Sequence, residues 1–214
     1  MTDKFQNKYR IQSTRLQNWD YRWAGAYFIT ICTKNREHYF GEIKNGEMHL
    51  SEIGRIVEQE WLKTFDMRPD MNLHMGDFVI MPNHFHAIII IGENEYNKRD
   101  DVHNDGRGNE RCCRYAMHCV STTTPTQPHD VSNPQPHESN SPKNRFGPQS
   151  KNLASVIRGF KIGVTTNARI INSEFAWQHL YYDHIIRDKQ SFKRIQTYIN
   201  ENPAKWDDDK YHNK

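Results

Sequence analysis

Long apolar runs are absent from this chain of 214 residues. A helix that spans a bilayer needs about 18 or more consecutive apolar residues. The longest run here, Ala87 to Ile91, is the size of a β-strand, so no transmembrane helix is expected. The polar segment Met1 to Arg10 lacks the apolar core of a signal peptide, which makes a cytoplasmic location the expectation. Cysteine is scarce as well. Cys32, Cys112, Cys113 and Cys119 form no paired framework and fit a reducing compartment. With His118 the last three leave a zinc site open, but they lack the C-x-x-C spacing of a structural site. Charge of one sign is missing too: the net +3 permits a nucleic-acid partner without demanding one. Apolar residues make up only 36%, below the usual globular share, but the shortage is concentrated in one stretch, so the rest can still build a core. There is no internal repeat.

What is present reads as short strands with interspersed helices. Tyr27 to Thr33 is rich in β-branched and aromatic residues and predicts a strand. Gly41 to Leu50 carries Asn45-Gly46 between short flanks, the sequence of a two-residue hairpin turn. Ser51 then caps a helix in which Ile53, Val57, Trp61 and Phe65 recur every four residues. Asp77 to Ile91 predicts two strands around a tight Pro82-Asn83 connection.

From about residue 93 to 148, Asn, Asp, Ser, Thr, Pro and His dominate and apolar residues lose their periodicity. Such a stretch cannot bury enough surface to offset its ordering entropy, so it is expected to be a flexible insertion within one domain covering 1–214. Order resumes with a helix whose stripe is Leu153, Val156, Ile157, Phe160, Val164, Ala168 and Ile171. Lys151, Arg158, Lys161 and Arg169 fall together beside that stripe. They are candidates for DNA phosphate contacts, or else an ordinary solvated helix face. A strand over Tyr181 to Arg187 and a last helix from about Gln190 to Asn202, stopped by Pro203, complete the chain. The expected fold is therefore α+β: a ferredoxin-like sandwich with a central, mostly antiparallel sheet and helices on one face.

Two groups of residues carry chemistry. His84-Phe85-His86 opens the most apolar strand, and because side chains alternate the two imidazoles share a face. Two imidazoles on one face can chelate a divalent ion, whereas histidine pairs on strands are also common without one. In the last helix, Phe192, Ile195 and Ile199 define an apolar stripe, with Tyr198 and Asn202 side by side on its flank. Spacing alone admits two readings of that pair. Tyr198 is a nucleophile and Asn202 an oxygen ligand, or they are a boundary tyrosine and a helix-terminal asparagine.

The stretch Met81-Pro-Asn-His-Phe-His-Ala-Ile-Ile-Ile resembles the His-hydrophobe-His motif of the HUH single-strand nucleases. Trp177-Gln-x3-Tyr182-Asp-His-Ile-Ile-Arg187, together with Tyr198-Ile-x2-Asn202-Pro203, resembles the REP-associated tyrosine transposases, single-tyrosine members of that superfamily. Trp19-Asp-Tyr-x5-Tyr27-Phe-Ile-Thr-Ile-Cys-Thr33 is similar too, so the resemblance covers most of the chain outside the insertion. It implies a ferredoxin-like fold with the His pair on a central strand. It also implies His84, His86 and Asn202 as ligands of Mg²⁺ or Mn²⁺, and Tyr198 as nucleophile. The implied partner is single-stranded or hairpin DNA, met at the nucleoid and not at a membrane, with monomer or homodimer both open.

The implied activity is that of an endonuclease and strand transferase acting in DNA transposition. Cleavage would leave a 5′-phosphotyrosine and a free 3′-hydroxyl. His184 either supports the metal site or is structural, and Tyr181 and Tyr182 are rival nucleophiles without the asparagine partner. Two rival classes stand beside this one. The first is a domesticated DNA-binding protein without catalysis. The second is a zinc hydrolase using water, which needs a carboxylate base near the His pair, where the nearest acids in sequence, Asp77 and Glu93, are expected in flanking turns.

Overall fold

β-branched and aromatic residues make Gly25–Cys32 the strand β3 on which the sheet is built. The structure, a computed structural model, describes residues 19–98 and 150–212, plus the backbone of two short paired strands, β1 (Lys4–Phe5) and β2 (Lys8–Tyr9). A hairpin follows β3, formed by β4 (Gly41–Lys44) and β5 (Glu47–Leu50). Its turn residues Asn45 and Gly46 have φ of 54° and 77°, the left-handed values that two-residue hairpins require. The Ser51 hydroxyl accepts from the Gly54 N–H at 3.0 Å and starts α1 (Glu52–Asp66). Next come β6 (Leu73–Met81) and β7 (His84–Ile91), joined at Pro82-Asn83. The helix α2 (Leu153–Ile171) starts at an Asn152–Ser155 capping box. The strand β8 (Tyr182–Ile186) leads to α3 (Lys189–Glu201), capped by Asp188, and Pro203 begins a single-turn tail helix, Pro203–Asp208.

The four core strands pair antiparallel in the order β6-β7-β3-β8. With α1 and α2 this is the β-α-β-β-α-β arrangement of a ferredoxin-like α+β fold, as the sequence predicts. The helices, however, do not share one face. Tyr27, Ile29 and Ile31 of β3 pack with Phe85, Ala87 and Ile89 of β7 under α1 and α2. The other alternation of the same strands, Ala26, Phe28 and Ile88, packs under Ile195 and Ile199 of α3. The cause is in the strands: both alternations are apolar, so each face needs its own cover.

The α1/α2 face is dry and aromatic. The ring of Trp61 lies 5.0 Å from Phe85 and 5.3 Å from Phe160, and Phe85 lies 5.4 Å from Phe160. Most of the expected insertion, residues 99–149, lies outside the described residues, and with it Cys112, Cys113, His118 and Cys119. At its two roots, Tyr96 donates to Asp70 Oδ2 at 3.0 Å and the Lys151 ammonium pairs with the same carboxylate. Lys151 stands just before the Asn152 cap with φ of 56°, so it is not part of the helix as the sequence suggested.

Candidate active site

The register of the sheet puts both histidines under α3. His84 pairs with Cys32 and His86 with Thr30, on the alternation shared with Phe28 and Ile88. Both rings are buried, with centroids 4.5 Å apart. Each is held by its Nδ1: His84 lies 2.8 Å from Asn83 Oδ1, and His86 lies 2.8 Å from Thr30 Oγ1. Asn83 Oδ1 can only accept, so His84 carries its proton on Nδ1 and presents a bare Nε2. That Nε2 is buried and has no hydrogen-bond partner among the described residues. His86 Nε2 lies 3.1 Å from the Tyr198 hydroxyl.

Burial pushes the His84 pKa down to about 4, and only partly does the nearby Asp209 carboxylate oppose it. Burial, and then His84, hold His86 well below the usual histidine range. Both imidazoles are therefore neutral at pH 7, the form that binds metal. Burial and then Asp209 raise the Tyr198 pKa above its ordinary value, so the hydroxyl keeps its proton. The Tyr198 ring meets Phe28 edge-on at 6.2 Å and His86 at 5.2 Å.

The chain past Pro203 supplies what the sequence reading missed. It folds back so that His84, His86 and Asp209 bring ligand atoms within 4.8 Å of one another, a group that could hold a metal ion. Asn202 Nδ2 donates to Asp209 Oδ2 at 3.0 Å and the Tyr211 N–H donates to Asp209 Oδ1 at 2.6 Å. Asn83 Nδ2 donates to the Tyr211 carbonyl at 2.9 Å, and the Tyr211 ring lies 4.6 Å from that of His84. Arg36 donates to the Lys210 carbonyl at 2.7 Å, so the loop after β3 also holds the tail.

The donor set fits a divalent cation. Two buried atoms at this spot, His84 Nε2 and Asn202 Oδ1, have no hydrogen-bond partner, which costs about 1–3 kcal/mol each unless something else satisfies them. The bond from Asn202 Nδ2 to Asp209 keeps its amide beside the third member of the group. Two neutral imidazoles, a carboxylate and an amide oxygen suit the borderline-to-hard divalent ions.

No protein-family model matches the chain. A Haemophilus influenzae protein described as uncharacterized is 36% identical over 200 residues, covering 92% of this chain and 91% of that protein. The chain belongs to the family of that protein. A solved structure of a REP-associated tyrosine transposase bound to a REP hairpin matches with a TM-score of 0.51 at 15% identity, covering 92% of this chain and 74% of that one. The likeness shows the fold, and it falls on the group to which the sequence motifs point.

The four basic candidates do not assemble at this site. Arg158, Lys161 and Arg169 belong to α2, on the opposite face of the sheet from the histidines. Lys161 donates to the Gln178 carbonyl at 2.8 Å and lies over the Trp177 ring, while Arg169 donates to the Phe175 carbonyl at 3.0 Å. Arg158 shares a groove with Lys161, Trp177 and Tyr181, and Lys151 is paired with Asp70. Asp77 is not in a turn: it lies within β6, where an irregularity between Met75 and Phe78 turns it toward α3. There it accepts from Gln196 Nε2 at 3.2 Å and Asn200 Nδ2 at 2.9 Å, and so is committed away from the histidines.

Proposed function

We propose that this protein is a metal-dependent single-strand DNA endonuclease and strand transferase of the transposase kind, with Tyr198 as the nucleophile. The observation that carries the reading is the Tyr198 hydroxyl, half-buried and 3.1 Å from His86 Nε2, beside a group of ligand atoms of which two are buried and bare. The residues that would hold the ion are His84, His86 and Asp209, with Asn202 Oδ1 as a further oxygen donor; Mg²⁺ or Mn²⁺ suits them. When bound, such an ion would supply Lewis-acid polarisation of the scissile phosphate and offset the Asp209 charge that, after burial, keeps Tyr198 protonated.

The protein's own residues account for the rest. Asn83 and Thr30 fix the two imidazole rings through Nδ1. Asn202 orients the Asp209 carboxylate, and Phe28 sets the plane of the tyrosine ring. The Tyr198 oxygen attacks phosphorus in line, its proton leaves to solvent, and the bond to the 3′ oxygen breaks. The 3′ oxygen takes a proton from solvent as it departs and becomes a hydroxyl, and the phosphate stays on Tyr198 as a 5′ ester. A second 3′-hydroxyl can displace the tyrosine by the reverse step, which rejoins strands without ATP.

The partner that follows is single-stranded DNA next to a hairpin, and the REP hairpin of the solved relative is the natural first substrate. Cleavage of REP-type hairpin oligonucleotides by the wild-type chain in Mn²⁺, lost in EDTA and in the His84→Ala and His86→Ala variants, is the expected result. Undiminished cleavage in EDTA would remove the metal from the account. Hairpin binding without cleavage under every divalent ion tried would leave a non-catalytic DNA-binding protein.

A further inference from the structure

We infer that the groove between α3 and the edge strand β8 is the channel that carries the DNA strand to Tyr198, with Arg194 and Arg187 as its phosphate contacts. The inference rests on the single-strand reading above and goes beyond it by assigning a path.

The geometry of α3 comes first. Asp77 holds Gln196 and Asn200, one flank of the helix, toward β6. Tyr198 lies about 200° around the helix from Gln196, and so faces the other way, over Phe28 of β3 and toward β8. Arg194 and Gln190 precede Tyr198 at intervals of four residues and form one row with it along that flank. Across from this row stands β8. Its register against β3 sets Tyr182 beside Thr30, His184 beside Phe28 and Ile186 beside Ala26. Thr30 pairs with His86 on its other side, so Tyr182 lies two strands across from His86 on the same face.

Beside these rows lies a groove of about 550 Å³ lined by Arg187, Arg194, His184 and Gln190 together with the carboxylates Asp183 and Asp188. Along the chain of β8 its lining runs from Arg187 back to Asp183, four residues or roughly 14 Å, and Arg194 on its other wall stands one helical turn before Tyr198. Arg187, Arg194, His184 and Tyr182 are all exposed, and Tyr182 is 51% exposed despite its size. Of the two carboxylates here, Asp188 is engaged in capping α3 through the Ser191 N–H at 2.7 Å. Asp183, which pairs with Ile29 of β3, also lines the groove and is the negative charge that an incoming strand has to pass.

Two guanidiniums lining a groove, with the exposed Tyr182 ring next to it on β8, suit an unpaired strand: phosphates meet the guanidiniums and a base stacks on the ring. Because β8 is an edge strand, the groove is open along its length, and a strand can enter sideways without threading.

The test uses the full chain and a fluorescein-labelled oligothymidylate of about 12 nucleotides. Anisotropy titrations at several salt concentrations give the slope of log affinity against log salt. An Arg187→Gln/Arg194→Gln variant should lose about 1.4 from that slope, roughly 0.7 for each phosphate contact on a single strand. Its Mn²⁺ affinity should equal that of the wild type, which shows the metal group and the fold to be intact. In parallel, an oligonucleotide carrying 5-iododeoxyuridine should photocrosslink to the peptide containing Tyr182 or His184, and Tyr182→Ala should reduce that yield severalfold. Wild-type binding with an unchanged slope in the double variant, or crosslinks confined to α2, would overturn the channel and leave the nuclease reading standing. Failure of the wild type to bind the oligonucleotide at all would defeat both.

Discussion

The two faces of the sheet are built from the same strands and differ in the polarity of what they bury. Under α1 and α2 the buried atoms are almost all apolar, and Trp61, Phe85, Phe160 and Tyr27 fill the space with rings. Under α3 the apolar contribution is small: Ala26, Phe28, Ile88 and Ile186 against Ile195 and Ile199. Beside these lie the buried polar residues Thr30, Asn83, His84, His86 and Asn202. One face therefore carries the stability and the other carries bare ligand atoms and depressed histidine pKa values, an arrangement that costs stability and marks a functional site.

The largest effect expected from breaking this comparison is on the dry face. Phe85→Ala removes a ring packed between Trp61 and Phe160 and should cost about 3–5 kcal/mol in chemical denaturation. On the site face, at the neighbouring His84 of the same strand, alanine should cost much less stability and abolish Mn²⁺ binding instead. A loss of stability at His84→Ala as large as that at Phe85→Ala would erase the division between faces.

Next is Asn83. Because its Oδ1 fixes the His84 ring, Asn83→Ala should lower Mn²⁺ affinity by about 10–100-fold in calorimetric titration, the usual cost of losing a partner that orients a metal ligand. An unchanged affinity would show that burial alone orients the ring.

The pH response is smaller and has a defined sign. Both histidines fold as neutral groups with pKa values below the unfolded value, so the unfolded chain binds more protons in between. Metal-free protein should therefore be stable above about pH 6.5 and lose stability as pH falls toward about 4, where His84 titrates in the folded state. The loss should be shallower in a His84→Gln/His86→Gln variant, read from thermal melts across that range.

The smallest effect is expected on α2. Lys161 and Arg169 already donate to carbonyls of this chain, so an Arg158→Gln/Lys161→Gln variant should change the salt slope of oligothymidylate binding less than the groove variant does. A larger change would move the DNA to the α2 face.

Much of this was legible in the sequence where local physics decides it. Asn45-Gly46 and the Ser51 cap fixed the hairpin and the start of α1. The stripe Phe192, Ile195 and Ile199 oriented α3 and so put Tyr198 on its flank, where the structure brings it to His86. Alternation placed His84 and His86 on one face. What stayed hidden depends on contacts distant in sequence. Asp209 lies beyond Pro203, where helical periodicity ends, and only the return of the tail brings it to the histidines. Trp206 and Tyr211, large rings after a helix stop, were a signal that the tail packs. Asn83 read as a turn residue, although it also holds His84. For the basic stripe of α2, which the sequence left open between a DNA contact and a solvated face, periodicity shows which residues share a flank but not which face of the sheet that flank serves.

The central claim is that Tyr198 takes the phosphate. Wild-type protein incubated with Mn²⁺ and a cleavable hairpin-bearing strand should form a denaturant-resistant protein–DNA adduct. Digestion and mass spectrometry should place the 5′-phosphate on the peptide containing Tyr198. Tyr198→Phe, which keeps the ring against Phe28 and removes one oxygen, should form no adduct and shift stability by no more than about 1 kcal/mol. An adduct on Tyr181, Tyr182 or Tyr211 would contradict the assignment. So would cleavage by the Phe variant at the wild-type rate, which would instead point to water activated beside Asp209.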